Sequence, residues 1–209
     1  MANARMRKAV LVPGISDVGI EFERFAKSLG HRRKDLFSRI GSLRNGFEGW
    51  VKLEFFFWLV GEYGLRIPTP EQDWNENSAD IGLEYKVRLD QRWNDREVKH
   101  CDLWIRDDQQ KPGFHYVELK APFANANMNK MLTSAASDFW CMSRIRKSYE
   151  QAVSGNAIVL GVGFNDDTWV QGIDRVRTES GVPEEMQESR SGVLDDKGQV
   201  RFSVLTRRY

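Results

Sequence analysis

The sequence contains no apolar run that could cross a bilayer: the longest, Phe55 to Val60, is six residues, against the roughly 20 that a helical span requires. No membrane span is therefore expected. Cysteine is almost missing. Cys101 and Cys141 form no Cys-x-x-Cys pair, and no histidine cluster stands at ligand spacing, which argues against a zinc site; both thiols are read as reduced. No secretory leader is expected either. The apolar stretch Ala9 to Val12 behind Arg5, Arg7 and Lys8 is too short and has no cleavage site, so the cytoplasm is the expected compartment. Nor is there a surplus of one charge, because 31 basic and 30 acidic residues leave a net charge of +1. The molecule as a whole cannot steer a polyanion, and any nucleic-acid site must be a local basic patch.

What is present is ordinary globular material, 41% hydrophobic and 29% charged over 209 residues, enough for one domain with a sizeable core. Phe22, Phe25 and Leu29, then Leu36, Phe37, Ile40 and Leu43, recur at helical spacing around the basic knot His31-Arg32-Arg33-Lys34. This predicts two helices joined at Gly30. After Asn45-Gly46 a strongly apolar segment, Phe47 to Tyr63, closed by Gly64 and Pro68, predicts a buried helix. Three strand-like runs follow, about Ile81 to Leu89, Val98 to Ile105 and Phe114 to Leu119, the last two forming a hairpin. An Asn-rich loop, Asn125 to Asn129, leads to an amphipathic helix from about Ser137 to Val153, ended by Gly155, and then to a buried strand, Ala157 to Phe164. The core order is α-β-β-β-α-β. Beyond it, a helix is expected from Thr168 to Val176, an acidic loop from Thr178 to Ser191, and an edge strand from Val200 to Leu205.

The chemically informative stretch is His100-Cys101-Asp102-Leu103-Trp104-Ile105, followed after a polar turn by Tyr116-Val117-Glu118-Leu119-Lys120. Side chains two apart share a strand face, so Glu118 and Lys120 project together while Val117 and Leu119 point the other way. If Leu103 and Ile105 share the core with Val117 and Leu119, Asp102 joins Glu118 and Lys120. A turn centred near Gln110 sets Asp102 opposite Glu118, with Cβ atoms roughly 5 Å apart. Two adjacent carboxylates repel unless a cation is expected, and an all-oxygen site suits magnesium or manganese. Such an ion polarises a phosphoryl oxygen and lowers the pKa of a bound water, and Lys120 can position that water or stabilise charge developing on phosphorus. Phosphodiester hydrolysis is the reaction class implied. The competing reading is a solvated cross-strand ion pair worth under ~1 kcal/mol. A third acid weighs against it: Glu54 interrupts Val51-Lys52-Leu53-Glu54-Phe55-Phe56-Phe57, where a carboxylate is costly unless paired or bound to a cation. Its own competing reading is a polar stripe shared with Lys52.

An acidic residue on a first buried helix, then Asp102, then Glu118-x-Lys120 on consecutive strands, then a helix and a further strand, resembles the restriction-endonuclease-like PD-(D/E)XK superfamily. The resemblance covers residues 46–165, with 1–45 as an N-terminal helical extension and 166–209 as a C-terminal extension of a single nuclease domain. It implies an α/β fold whose mixed central sheet is flanked by helices. It also implies that Asp102, Glu118 and Glu54 are ligands for magnesium or manganese, and that Lys120 is the catalytic lysine. Cys101 stands where that pattern usually has Pro, a minor departure because the Pro is dispensable in similar proteins. All four charged positions are filled, which argues against a degenerate, inactive member.

Other residues stay open. His100 shares the face of Asp102 as a phosphate contact, a proton carrier or a plain exposed strand residue, and Glu84 and Lys86 flank the site or are simply solvated. Glu48 is the rival helical acid, but six residues of helix set it about 120° from Glu54, so both cannot face the site. Arg32, Arg33, Lys34, Arg39 and Arg44, and separately Lys130, Arg144, Arg146 and Lys147, are the expected phosphate contacts or else solvated helix faces. Asn125, Asn127 and Asn129 are base or sugar contacts or an ordinary turn. The expected partner is nucleic acid, DNA above all, with water as nucleophile and a homodimer where both strands are cut. The rivals are a silent nucleic-acid-binding or interaction module of the same fold, and a phosphoesterase acting on small nucleotides.

Overall fold

The computed structural model describes residues 14–32, 47–68, 79–90, 98–109, 113–194, 198 and 200–209. Its helices are α1 (Val18–Arg32), α2 (Phe47–Tyr63), α3 (Met128–Met142), the single turn α4 (Lys147–Glu150) and α5 (Asp166–Glu179). The strands are β1 (Ile81–Arg88), β2 (Val98–Arg106), β3 (Phe114–Lys120), β4 (Ala152–Val162), β5 (Glu188–Val193) and β6 (Val200–Arg208). They form one mixed sheet in the order β1-β2-β3-β4-β6-β5. Only β3 and β4 run parallel; the other neighbours are antiparallel. A parallel pair needs a crossover, and α3 supplies it.

Helices cover both faces, α1 and α2 one side, α3 and α5 the other. All eleven residues of β4 are therefore buried, with Ile158, Leu160 and Val162 facing the first layer and Ala157 and Val159 the second. A strand covered on two faces reads as a continuous apolar run, as this one does. The first layer is anchored by rings: Phe22 of α1 meets Phe55 of α2 at 5.1 Å edge-on and Phe202 of β6 at 5.5 Å. Each such buried ring contributes about 1.5 to 3 kcal/mol, which fixes α2 against the sheet. No described helix is long and apolar enough to cross a membrane.

Several sequence expectations are corrected. Helix α1 runs through Gly30 to Arg32 instead of breaking there. A Cβ on Gly30 would stand 2.4 Å from the Leu194 carbonyl oxygen, so the glycine permits a close contact and makes no joint. The second helix expected after it lies outside the described residues. Helix α2 has the expected bounds, with Gly64 at φ +62° just beyond its end. It is buried on one side only, however, since Leu53 and Phe57 are 44% and 60% exposed. Helix α3 starts at Met128 and stops at Met142, ahead of the expected span, and its inner face sets Ala135, Ala136 and Asp138 among Leu132, Phe139 and Met142. Gly155 does not end a helix but sits inside β4, where a Cβ would lie 2.0 Å from the Met142 carbonyl oxygen. Finally β6 is an interior strand. The edge is β5, in the segment read as a loop, whose residues are nearly all exposed and so carry no alternation.

Candidate active site

The β2–β3 hairpin has the expected register, from Arg106↔Phe114 to Leu103↔Val117, which brings Asp102 next to Glu118. There the ladder stops. The Asp102 carboxylate accepts the Leu119 amide at 2.7 Å, so a side chain takes a donor that a strand carbonyl would otherwise hold. On the other flank Glu84, between the pairs Leu83↔Leu103 and Tyr85↔Cys101, has φ +52°. A left-handed residue in a strand turns the following side chains over. Leu83 accordingly packs with the α1/α2 layer, while Tyr85 stacks on Tyr116 and meets Trp104 at a tilt on the opposite face. The sheet thus splits at Asp102 and opens towards both helical layers.

Charged side chains fill the split. Asp102 and Glu118 stand side by side, close enough for each carboxyl to shift the ionisation of the other. From α2, Lys52 reaches Asp102 at 2.9 Å and also Glu84. One turn earlier, Glu48 meets the Lys120 ammonium at 3.3 Å and the Ala121 amide at 3.3 Å. From α3, Asp138 lies 2.8 Å from Lys99 and 3.4 Å from Lys120, and Lys99 lies 3.1 Å from Glu118.

Burial first, then the Asp102 hydrogen bond and charge, push the Glu118 carboxyl up to about 9. It is protonated at neutral pH. Burial opposes ionisation of Asp102 too, but the Glu118 hydrogen bond, the Leu119 amide and Lys52 together hold it below the usual carboxylate range. Two carboxyls therefore share one proton, the outcome expected when like charges are forced together. Burial likewise works against the charge on Lys99, and its carboxylate partners Asp138 and Glu118 overcome that and raise its pKa. Lys52 and Lys120 are shifted upwards for the same reason.

Asp102, Glu118 and Lys120 come together as the sequence predicts, and Glu54 does not join them. Glu48 and Lys52, one turn apart on α2, face the site, which turns Glu54 away; it makes no hydrogen bond or ion pair among the described residues. Its surroundings are not wholly apolar core, since Leu53 and Phe57 beside it on α2 are exposed, so a carboxylate there needs no cation. Asp138, Lys99 and Lys52 were missed. Asp138 carried the signal that had been applied to Glu54, a lone acid in an apolar helix, between Ala135-Ala136-Ser137 and Phe139-Trp140.

Beside the cluster a groove of about 350 Å³ is lined by Glu48, Lys120, Asn127, Lys130, Met131 and Ser134. Of the expected phosphate contacts, Lys130 is at this groove. Arg144, Arg146 and Lys147 lie past the other end of α3, about 20 Å away at 1.5 Å per residue, with the Arg144 guanidinium 4.0 Å over the Trp140 ring. Arg32 ends α1, and its side chain and all of Arg33, Lys34, Arg39 and Arg44 lie outside the described residues. His100 is exposed on β2 opposite Lys86. Asn125 caps the Asn127 amide and Asn129 accepts from Arg175, so those two build the turn and tie α3 to α5. Both cysteines are free.

The donor set fits a hard divalent cation, since Asp102, Glu118 and Asp138 offer oxygen alone. The buried Asp138 Oδ2 has no hydrogen-bond partner. As they stand, no three His, Cys, Asp or Glu side chains among the described residues form a ready metal group; amines occupy the spaces between the carboxyls. A second constellation is purely structural: His115 lies 2.8 Å from Ser154 Oγ and 3.1 Å from Asp107, but all three residues are buried and closed to substrate. No family model, curated protein or solved structure matches the chain.

Proposed function

We propose that the chain is a magnesium- or manganese-dependent nuclease with a restriction-endonuclease-like PD-(D/E)XK core, hydrolysing phosphodiester bonds in nucleic acid, DNA first. The observation that carries this reading is the meeting of the Asp102 and Glu118 carboxyls beside Lys120, where the β2–β3 ladder ends and the Asp102 carboxylate takes the Leu119 amide. Carboxyls forced to share a proton at neutral pH are poised to exchange it for a cation. The order α2-β1-β2-β3-α3-β4, with β3 and β4 parallel, supports the same core.

Asp102 and Glu118 would hold the cation, which supplies Lewis acidity at the phosphoryl oxygen and a more acidic bound water. Lys120 reaches the groove, where its ammonium orients the attacking water and stabilises charge developing on phosphorus. Glu48 steadies Lys120. Lys130, on the groove wall, meets the neighbouring phosphate. Attack by the water oxygen on phosphorus breaks the bond to the leaving ester oxygen; the water gives up one proton and the leaving oxygen takes one up, so a phosphate monoester and a free hydroxyl result.

Incubation of plasmid, single-stranded DNA and RNA with chelator, magnesium or manganese tests the proposal. Cleavage is expected only with metal, and Lys120→Ala should abolish it with the circular dichroism spectrum unchanged. Full activity in a folded Lys120→Ala protein would remove the assignment. The presence of Lys52 and Lys99 among the carboxyls favours one alternative, a silent nucleic-acid-binding module, for which no polymer is cut in any condition. Cleavage confined to free nucleotides would point to a small-nucleotide phosphoesterase.

A further inference from the structure

We propose that the Lys99 ammonium is the resident cation of a Glu118–Asp138 carboxyl pair, and that a divalent ion can be held there, with Asp138 as an additional ligand, only once Lys99 has been expelled. The inference rests on the metal-dependent reading above. Lys99 Nζ stands 3.1 Å from Glu118 Oε1 and 2.8 Å from Asp138 Oδ1, which is a bridging position. It satisfies one oxygen of each. The second Asp138 oxygen, on a residue only 5% exposed, has no hydrogen-bond partner, and the nearest ammonium, on Lys120, is 3.4 Å away. A buried acceptor left without a hydrogen bond costs on the order of 1 to 3 kcal/mol, more when charged. The cluster as it stands therefore leaves a buried acceptor without a hydrogen bond at a defined atom, and that atom belongs to the pair that Lys99 bridges.

Lys99 is also the amine best placed to leave. Its side chain is 31% exposed, against 22% for Lys120 and 18% for Lys52. It stands second in β2, three residues before Asp102, between exposed Val98 and His100. Lysine has a long flexible stem and a strongly hydrated head, so an outward swing exchanges its two carboxyl contacts for water. In the metal-free protein the same amine stands between the two carboxyls and balances the charge on Asp138. The consequence is a competition within the chain, in which Lys99 raises the metal concentration needed to load the site.

Calorimetric titration of the full chain with manganese, without nucleic acid, compares wild type with Lys99→Gln, which keeps bulk and hydrogen bonding but removes the charge. Lys99→Gln should bind at least tenfold more tightly. Equal affinity would overturn the proposal for Lys99 and leave metal binding standing, whereas no binding by either protein overturns both. Because loss of a half-buried cation can harm folding, wild type provides a second readout: acylation of Lys99 by an amine-reactive reagent, followed by mass spectrometry. Manganese should increase labelling of Lys99 severalfold and leave exposed Lys27 unchanged. Labelling of Lys99 that ignores manganese would overturn the proposal.

Discussion

Glu118 holds its proton far beyond the pH at which a free glutamate loses it, and this ties the stability of the molecule to one side chain. An unfolded glutamate titrates near ~4.3, the folded one at about 9. Between these values the folded state keeps a proton that the unfolded chain has released. The contribution of Glu118 is therefore fully present below ~4.3 and is lost as pH rises through 9, at up to about 1.4 kcal/mol per pH unit. Asp102 is shifted the other way, so its contribution is lost only as pH falls below the ordinary carboxylate range. From pH 5 to 9 Glu118 dominates the pair. Glu118→Gln cannot ionise, and its amide can still donate to Asp102. In thermal scans with chelator, the melting temperature of the variant should gain on wild type steadily from pH 5 to 9. A difference that stays constant would mean that Glu118 ionises normally. The pair itself was legible in the sequence because strand alternation and hairpin length fix which residues face each other. The helical acid was not, because choosing between Glu48 and Glu54 needs the rotational phase of α2, and a helix apolar nearly all round does not reveal it.

At the scale of elements, the strands of the hairpin were legible and the junction between α3 and β4 was not, and one glycine explains why. Gly155 reads in sequence as a helix stop, yet in the fold it is the point where β4 accepts the end of α3 at backbone contact. Gly155→Ala would drive a Cβ to 2.0 Å from the Met142 carbonyl oxygen and 2.7 Å from its carbon, and backbone cannot give way cheaply. A destabilisation of about 1 to 3 kcal/mol is expected, or a melting temperature lower by about 2 to 4 °C per kcal/mol at this chain length. Gly61→Ala provides the contrast. Nothing lies within 4 Å of a Cβ there, so the change should raise stability by a few tenths to ~1 kcal/mol through helix propensity. Denaturant melts of both variants check the pair, and two shifts of the same sign would refute the assignment of Gly155 as a contact point. The length of α3 escaped detection for a related reason: Ala135 and Ala136 let the helix lie close to the sheet, and small residues give a weak periodic signal.

For the molecule as a whole, a net charge of +1 means that attraction to a polyanion must come from the few cations at the groove, and salt dependence counts them. Each phosphate contact displaces condensed counterions and contributes about 0.9 to the slope of log affinity against log salt on duplex DNA. Lys130 lines the groove beside Lys120, whereas Arg144, Arg146 and Lys147 lie beyond the far end of α3, with Arg144 engaged on Trp140. Fluorescence anisotropy of a labelled duplex, in chelator so that nothing is cut, should give a slope smaller by about 1 for Lys130→Ala, with affinity weakened alike for every sequence tested. Arg146→Ala with Lys147→Ala should leave the slope unchanged if the duplex keeps to the groove. The opposite pattern, a slope lowered by the far pair and untouched by Lys130→Ala, would move the path of the duplex to the other end of α3 and separate it from Asp102, Glu118 and Lys120. A phosphodiester bound there could not reach the carboxyl pair, so the nuclease reading would fail with it.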